Sequence, residues 1–135
     1  MTPNEIAHEV VDAAFRIHST LGPGLLEHIY ERLLAHDLQK RGLQVVAQHP
    51  VPFIHEGVDL GPAFRADLII EHQLILEIKS VEALTDVHKK QLLTYLRLAN
   101  KPLGLLINFN VALIKNGIKR IVNNLKESPR SQERT

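Results

Sequence analysis

Two short stretches of the chain set charged side chains into otherwise apolar runs, Phe64-Arg65-Ala66-Asp67-Leu68-Ile69-Ile70 and Leu74-Ile75-Leu76-Glu77-Ile78-Lys79-Ser80. Both read as β-strands, joined by a Glu71-His72-Gln73 turn. Residues two apart on a strand point to one face, so Glu77 and Lys79 share a face while Leu76 and Ile78 take the other. Charges inside a central strand are costly unless they are paired or bind something. The register of the hairpin therefore matters. An odd loop centred on His72 sets Asp67 opposite Glu77, whereas an even loop sets Asp67 opposite Ile78 and parts the two carboxylates unless a bulge restores them. Two carboxylates and an ammonium on one patch suit one task. Carboxylate oxygens hold a hard cation such as Mg²⁺. The cation polarises a phosphate and acidifies a bound water, and the lysine stabilises developing negative charge or orients that water. The plainer reading of the same residues is a cross-strand ion pair of Lys79 with Asp67 or Glu77.

The rest of the chain must position that patch. Asn4 can cap a first helix running to Ser19 or Thr20, with Ile6, Val10, Ala14, Ile17 and Leu21 at helical spacing. Gly22-Pro23-Gly24 stops it. A second helix is expected over Leu25 to Lys40, with Leu26, Ile29, Leu33, Leu34 and Leu38 inward and Gly42 after its end. Gln44 to Gln48 and Val51 to His55 read as strand segments, which Pro50 and Pro52 mark as an edge or a bulge. Gly57 and Gly61-Pro62 mark a turn region. Thr85 or Asp86 caps a third helix over Val87 to Ala99, ended by Asn100 and Pro102. Leu103 to Asn108 is apolar enough to be a strand buried on both faces. Val111 to Lys115 and Ile118 to Val122 flank Asn116-Gly117, a hairpin signal. The order is ααβββαβ plus a C-terminal β-hairpin, an α/β sandwich with a mixed sheet flanked by helices. One domain is expected over 1–125, with a polar, disordered tail over 126–135.

Composition narrows the chemistry. The chain has 135 residues, 44% hydrophobic and 23% charged, which suits one globular domain. Cysteine is absent, which excludes disulfides, thiolate metal sites and cysteine nucleophiles and suits a reducing cytoplasm. No apolar run approaches a membrane span, and Glu5 and Glu9 interrupt what a signal peptide would keep apolar. With 16 Lys+Arg against 15 Asp+Glu, no basic coat is visible in the totals. Lys89, Lys90, Arg97, Lys115, Lys119, Arg120 and Lys126 do gather late and could flank a phosphate backbone, although a solvated face is their ordinary reading. The eight histidines are scattered without metal spacing, and His18 is expected to brace the Gly-Pro-Gly loop. With no Trp and only two Tyr and four Phe, base-stacking platforms are not indicated.

Asp67 followed by Glu77-x-Lys79 on the next strand resembles the D…(D/E)-x-K signature of the PD-(D/E)XK nuclease superfamily. Gly24-Leu25-Leu26-Glu27-His28-Ile29-Tyr30 matches G-x-x-E-x-x-Y, and with His18, Leu21 to Glu27 and Leu105-Leu106-Ile107-Asn108-Phe109-Asn110 the chain resembles the GxxExxY protein family within that superfamily over about residues 5–124. Gln91-Leu92-Leu93-Thr94-Tyr95 is similar to the Q-x-x-x-Y motif of the superfamily's exonuclease branch, and Gln91 and Tyr95 share one helix face. Ala66 stands where the superfamily's name has proline. The resemblance implies a nuclease-like sandwich and Mg²⁺- or Mn²⁺-dependent hydrolysis of DNA or RNA. It implies Glu27, Asp67, Glu77 and the Ile78 carbonyl as metal ligands, Lys79 on the water, and Gln91 and Tyr95 orienting Lys79 or substrate. Glu27 is otherwise read as an acid that the helix dipole favours. A non-catalytic nucleic-acid or protein-binding module on the same fold is the second reading, and a hydrolase of smaller phosphoesters the third.

Overall fold

The computed structural model describes residues 1–125, so the expectation for the tail falls outside the described residues. The elements are α1 (Pro3–Leu21), α2 (Glu27–Lys40), β1 (Val45–His55), β2 (Val58–Ile70), β3 (Leu74–Lys79), α3 (Asp86–Ala99), β4 (Leu103–Asn108), a 3₁₀ turn (Ile114–Gly117) and β5 (Ile118–Val122). They form one five-stranded sheet in the order β1-β2-β3-β4-β5. β3 and β4 are parallel and every other neighbouring pair is antiparallel. The α/β class, the mixed sheet and the order ααβββαβ are those expected from the sequence.

Alternation along the strands divides the interior in two. Leu68, Leu76, Ile78, Leu105 and Ile107 face α1 and α2, where Ile6, Val10, Tyr30, Leu34 and Leu38 complete the larger core. Ile69, Ile75 and Leu106 face α3, whose Leu92 and Leu96 close a smaller one. Glu77 follows Ile75 at strand spacing and so belongs to the α3 face, beside the smaller core. Among the described residues no helix is long and apolar enough to cross a membrane.

Several boundaries differ from expectation for local reasons. α1 is capped by Thr2, not Asn4. Thr2 Oγ1 accepts the Glu5 N–H at 3.1 Å and Glu5 returns the bond at 2.9 Å, with Pro3 in the first turn, where its missing N–H costs nothing. α2 begins at Glu27, so Leu26 lies before the helix and is 67% exposed, while Tyr30 takes the inward place. β1 is one continuous edge strand, whose prolines are absorbed by register shifts at Val51/Pro52 and Pro52/Ile54. β2 already starts at Val58, which leaves Glu56-Gly57, at φ 50° and 79°, as the turn and puts Gly61-Pro62 inside a strand.

The C-terminal hairpin forms between β4 and β5, from Ile107–Ile118 to Leu103–Val122, rather than across Asn116-Gly117. Val111 to Lys115 is not a strand. Gly117 is needed for closeness instead of for a turn conformation, because a Cβ there would strike the Asn108 carbonyl.

Candidate active site

The β2–β3 turn is odd and centred on His72. Its pairs are Ile70–Leu74, Ile69–Ile75 and Leu68–Leu76, so the next residues in register are Asp67 and Glu77. The sheet loosens at this point. The β1–β2 partners pass from Ala47–Leu68 to His49–Ala66, skipping Asp67, and Gln48 opposite it has φ 51°. Asp67 Oδ2 accepts the Ile78 N–H at 2.9 Å, which ties the acid to the strand that carries Glu77 and Lys79. The Ile78 side chain lies in the larger core, so only its backbone is available to the site.

Glu77 is 6% exposed, and its Oε1 has no hydrogen-bond partner. Burial, then a hydrogen bond to Asp67, then the charge of Asp67 push its carboxyl up to about 9, against a smaller opposing pull from Lys79. Near neutral pH the metal-free Asp67–Glu77 pair therefore keeps a proton between its two carboxyls. Among the described residues Lys79 forms no ion pair with Asp67 or Glu77, so the plain cross-strand pair is not made.

α3 covers this patch. Its N-cap Thr85 and His88 form a capping box. A cavity of about 160 Å³ lies between helix and sheet, lined by Asp67, Glu77, Lys79, Gln91 and Tyr95, with Arg65 from β2 and His88 from α3 also in its lining. The Tyr95 ring stacks on Phe64 with centroids 3.8 Å apart and planes 5° from parallel. Burial, then the nearby charges of Glu77 and Asp67, raise the Tyr95 hydroxyl above its ordinary value.

Glu27 stands on the other side. It is the first residue of α2, and its Oε1 accepts the Ser80 N–H at 3.0 Å, while Ser80 Oγ donates to the Leu25 carbonyl at 3.1 Å. It lines a wider cleft of about 700 Å³ with His28, Glu31, Gln48, Asp67 and Ser80. Asp67 thus belongs to both hollows. Glu27, Asp67 and Glu77 do not close around one point, and among the described residues no three His, Asp or Glu side chains converge in a metal cage.

The remaining motif residues serve the scaffold. Tyr30 is buried, stacks on Phe109 at 4.3 Å, accepts the Leu25 N–H and donates to the Gly22 carbonyl. It staples the loop before Glu27. His18 Nε2 is bonded to the Val111 carbonyl at 2.7 Å, so its side chain braces the β4–β5 connection instead of the Gly-Pro-Gly loop. Buried Asn108 accepts the Val81 N–H and donates to the Val81 carbonyl, pinning the chain just after β3.

Four residues at the site escaped sequence reasoning. Glu31 lies one turn after Glu27, a spacing that could have revealed it. Gln48 donates to it at 2.6 Å, and burial, with the charge of Asp67, raises its carboxyl despite that bond. Arg65 lines the α3 cavity although Phe64 and Ala66 on either side of it pack on the α3 face, so strand alternation alone would not have found it. His88 and Gln48 left no readable signal.

The family model for the PD-(D/E)XK nuclease superfamily matches residues 4–121, nearly all of the described chain. Neither the curated proteins nor the solved structures contain a match.

Proposed function

The chain belongs to the PD-(D/E)XK nuclease superfamily, and from that premise we propose that it hydrolyses nucleic-acid phosphodiesters with Mg²⁺ or Mn²⁺, as a member of the GxxExxY group. One observation carries the reading: a buried glutamate, Glu77, keeps an unpartnered oxygen against a second carboxylate, Asp67. Such a group is costly to bury and is relieved by a cation. The donor set is all oxygen, as a hard divalent ion requires. Asp67 and Glu77 would hold the ion with the Ile78 carbonyl, and Glu27 would join from the α2 side. The bound ion would supply a water acidic enough to attack and a counter-charge for the phosphate.

The chain's own residues do the rest. Lys79 has no acidic partner to release and can hold the attacking water or the phosphate oxygen. Gln91 and Tyr95 present a carboxamide and a hydroxyl to the same cavity and can orient Lys79 or the substrate. A second reading, a nucleic-acid-binding module without turnover, is favoured by the tie between Glu27 and Ser80, which keeps the third carboxylate apart.

A cleavage screen decides between them. Single- and double-stranded DNA and RNA are incubated with the protein in chelator, Mg²⁺ or Mn²⁺, with Glu77→Gln as control. Metal-dependent cleavage that the variant lacks is expected. Binding without cleavage of any substrate in either metal would leave the module.

A further inference from the structure

The α3 cavity has more donors than its two carboxylates explain. Lys79, Arg65 and His88 all line it, and among the described residues none of the three is ion-paired with an acid at the site. A hollow that holds an orphaned carboxylate oxygen and three unanswered donors is matched to a cation and an anion together.

His88 carries the argument further. It occupies the third helical position of the α3 capping box, where Glu or Gln is the usual partner of a capping threonine. The Thr85 backbone N–H donates to His88 Nδ1 at 3.0 Å, so Nδ1 is the acceptor nitrogen. In a neutral ring the proton must then sit on Nε2. Among the described residues no group takes that Nε2–H. The cap thus does two jobs. It starts the helix, and it fixes an imidazole as a hydrogen-bond donor beside Asp67 and Glu77. Arg65, which lines the same cavity, carries a charged donor fork of the kind that grips phosphate oxygens in pairs.

We propose that Arg65 and His88, which line one cavity with the Asp67–Glu77 carboxylates, form a phosphate-binding subsite there, with His88 Nδ1 held by the Thr85 backbone N–H and Nε2 left to meet the phosphate. This rests on the nuclease reading only for the source of the phosphate. A strand would set a phosphate against Arg65 and His88, while Asp67 and Glu77 would hold the cation. A free phosphate or a small phosphoester offers the same oxygens, so both sources are tested.

The test begins with the histidine ring nitrogens, observed by ¹⁵N NMR in chelator and in Mg²⁺, with inorganic phosphate as probe. The Nε2–H tautomer is expected, with ring signals that move on adding phosphate. Binding of a labelled single-stranded oligonucleotide is then measured for Arg65→Gln and His88→Glu. The glutamate variant keeps the capping box, so its melting temperature should match the parent's while its affinity falls roughly tenfold, the size of one lost charge-assisted hydrogen bond. An Nδ1–H tautomer, ring signals indifferent to phosphate, or variants that bind both probes as the parent does would each overturn the subsite. A response to inorganic phosphate with unchanged oligonucleotide affinity supports the subsite and assigns it to small phosphates. If His88 responds but the parent cleaves nothing in any metal, the nuclease reading fails and the subsite stands. Cleavage by a parent whose His88 ignores phosphate sinks the subsite alone.

Discussion

The two glutamates that flank Asp67 have one side chain and opposite surroundings. Glu27 stands exposed at the start of α2 with a backbone N–H to hold it. Glu77 stands buried on β3 with one oxygen unanswered. The α2 cleft is wide, and Glu27 and Glu31 add to Asp67 there. The α3 cavity is small and mixes two acids with Lys79, Arg65 and His88. The difference teaches where binding energy is stored. A solvated carboxylate already has its partners, so it gains little from a ligand. A desolvated, unpaired one gains a great deal. The α3 cavity should therefore be the centre of the chemistry and the α2 cleft its support.

The largest expected effect tests that ranking directly. Glu77→Gln should lower turnover by roughly 10³-fold, because a held cation supplies several kcal/mol of transition-state stabilisation. Glu27→Gln keeps an acceptor for the Ser80 N–H and should cost about tenfold, as supporting residues of a metal site do. Initial rates on one labelled substrate measure both. Equal losses would break the distinction between the two hollows.

The next effect is on stability and needs no substrate. The Glu77 carboxyl keeps its proton in the folded protein up to about 9, against an ordinary value of 4.5. Between those values the unfolded chain binds fewer protons than the folded one, so metal-free stability should fall as pH rises. The slope is at most about 1.4 kcal/mol per pH unit. Glu77→Gln should flatten it, and saturating Mg²⁺ should flatten it too, by keeping the folded site ionised as it is in the unfolded chain. Chemical denaturation across the range in chelator reads the result. A parent profile as flat as the variant's would place no special carboxyl on the α3 side.

Tyr30→Phe sharpens the comparison from the α2 side. It removes the bonds to Gly22 and Leu25 while leaving the ring on Phe109. A loss of about 1–2 kcal/mol is expected in thermal or urea unfolding. Tyr95→Phe is the counterpart over the α3 cavity. The stack on Phe64 remains, so stability should change by no more than about 0.5 kcal/mol. Turnover should still fall if the proposed role holds, because the variant takes from the cavity the hydroxyl whose titration Glu77 and Asp67 influence. A Tyr95→Phe enzyme at full speed, or a Tyr30→Phe protein as stable as the parent, would reverse the roles given to the two tyrosines.

Much of this was readable in advance. Compact apolar runs located β3, β4 and the second half of β2, and of the two registers the sequence left open the structure takes the odd one centred on His72, which sets Asp67 beside Glu77. Helical spacing put Gln91 and Tyr95 on one face of α3. The misreadings share a cause. Asn116-Gly117 has strong local turn chemistry, yet Gly117 is there because the Asn108 carbonyl passes too close for a side chain. Pro50 and Pro52 broke one strand into two on paper, while the edge of the sheet tolerates them. Leu26 fits the apolar stripe of α2 by spacing but lies before the helix begins, and a boundary shift of two residues exposes it.

By itself the sequence determined the composition of the site and its order along the chain: acid, acid, lysine on adjoining strands and a polar helix face to cover them. These depend on periodicity, which local backbone geometry enforces. Only the tertiary structure decided that Glu77 is buried with one oxygen unanswered, that Glu27 is tied to Ser80, and that Asp67 is shared between two hollows. Desolvation and charge neighbours are properties of what packs against a residue, here α3 on one side and α2 on the other. Neither is a property of the residue's own stretch of chain.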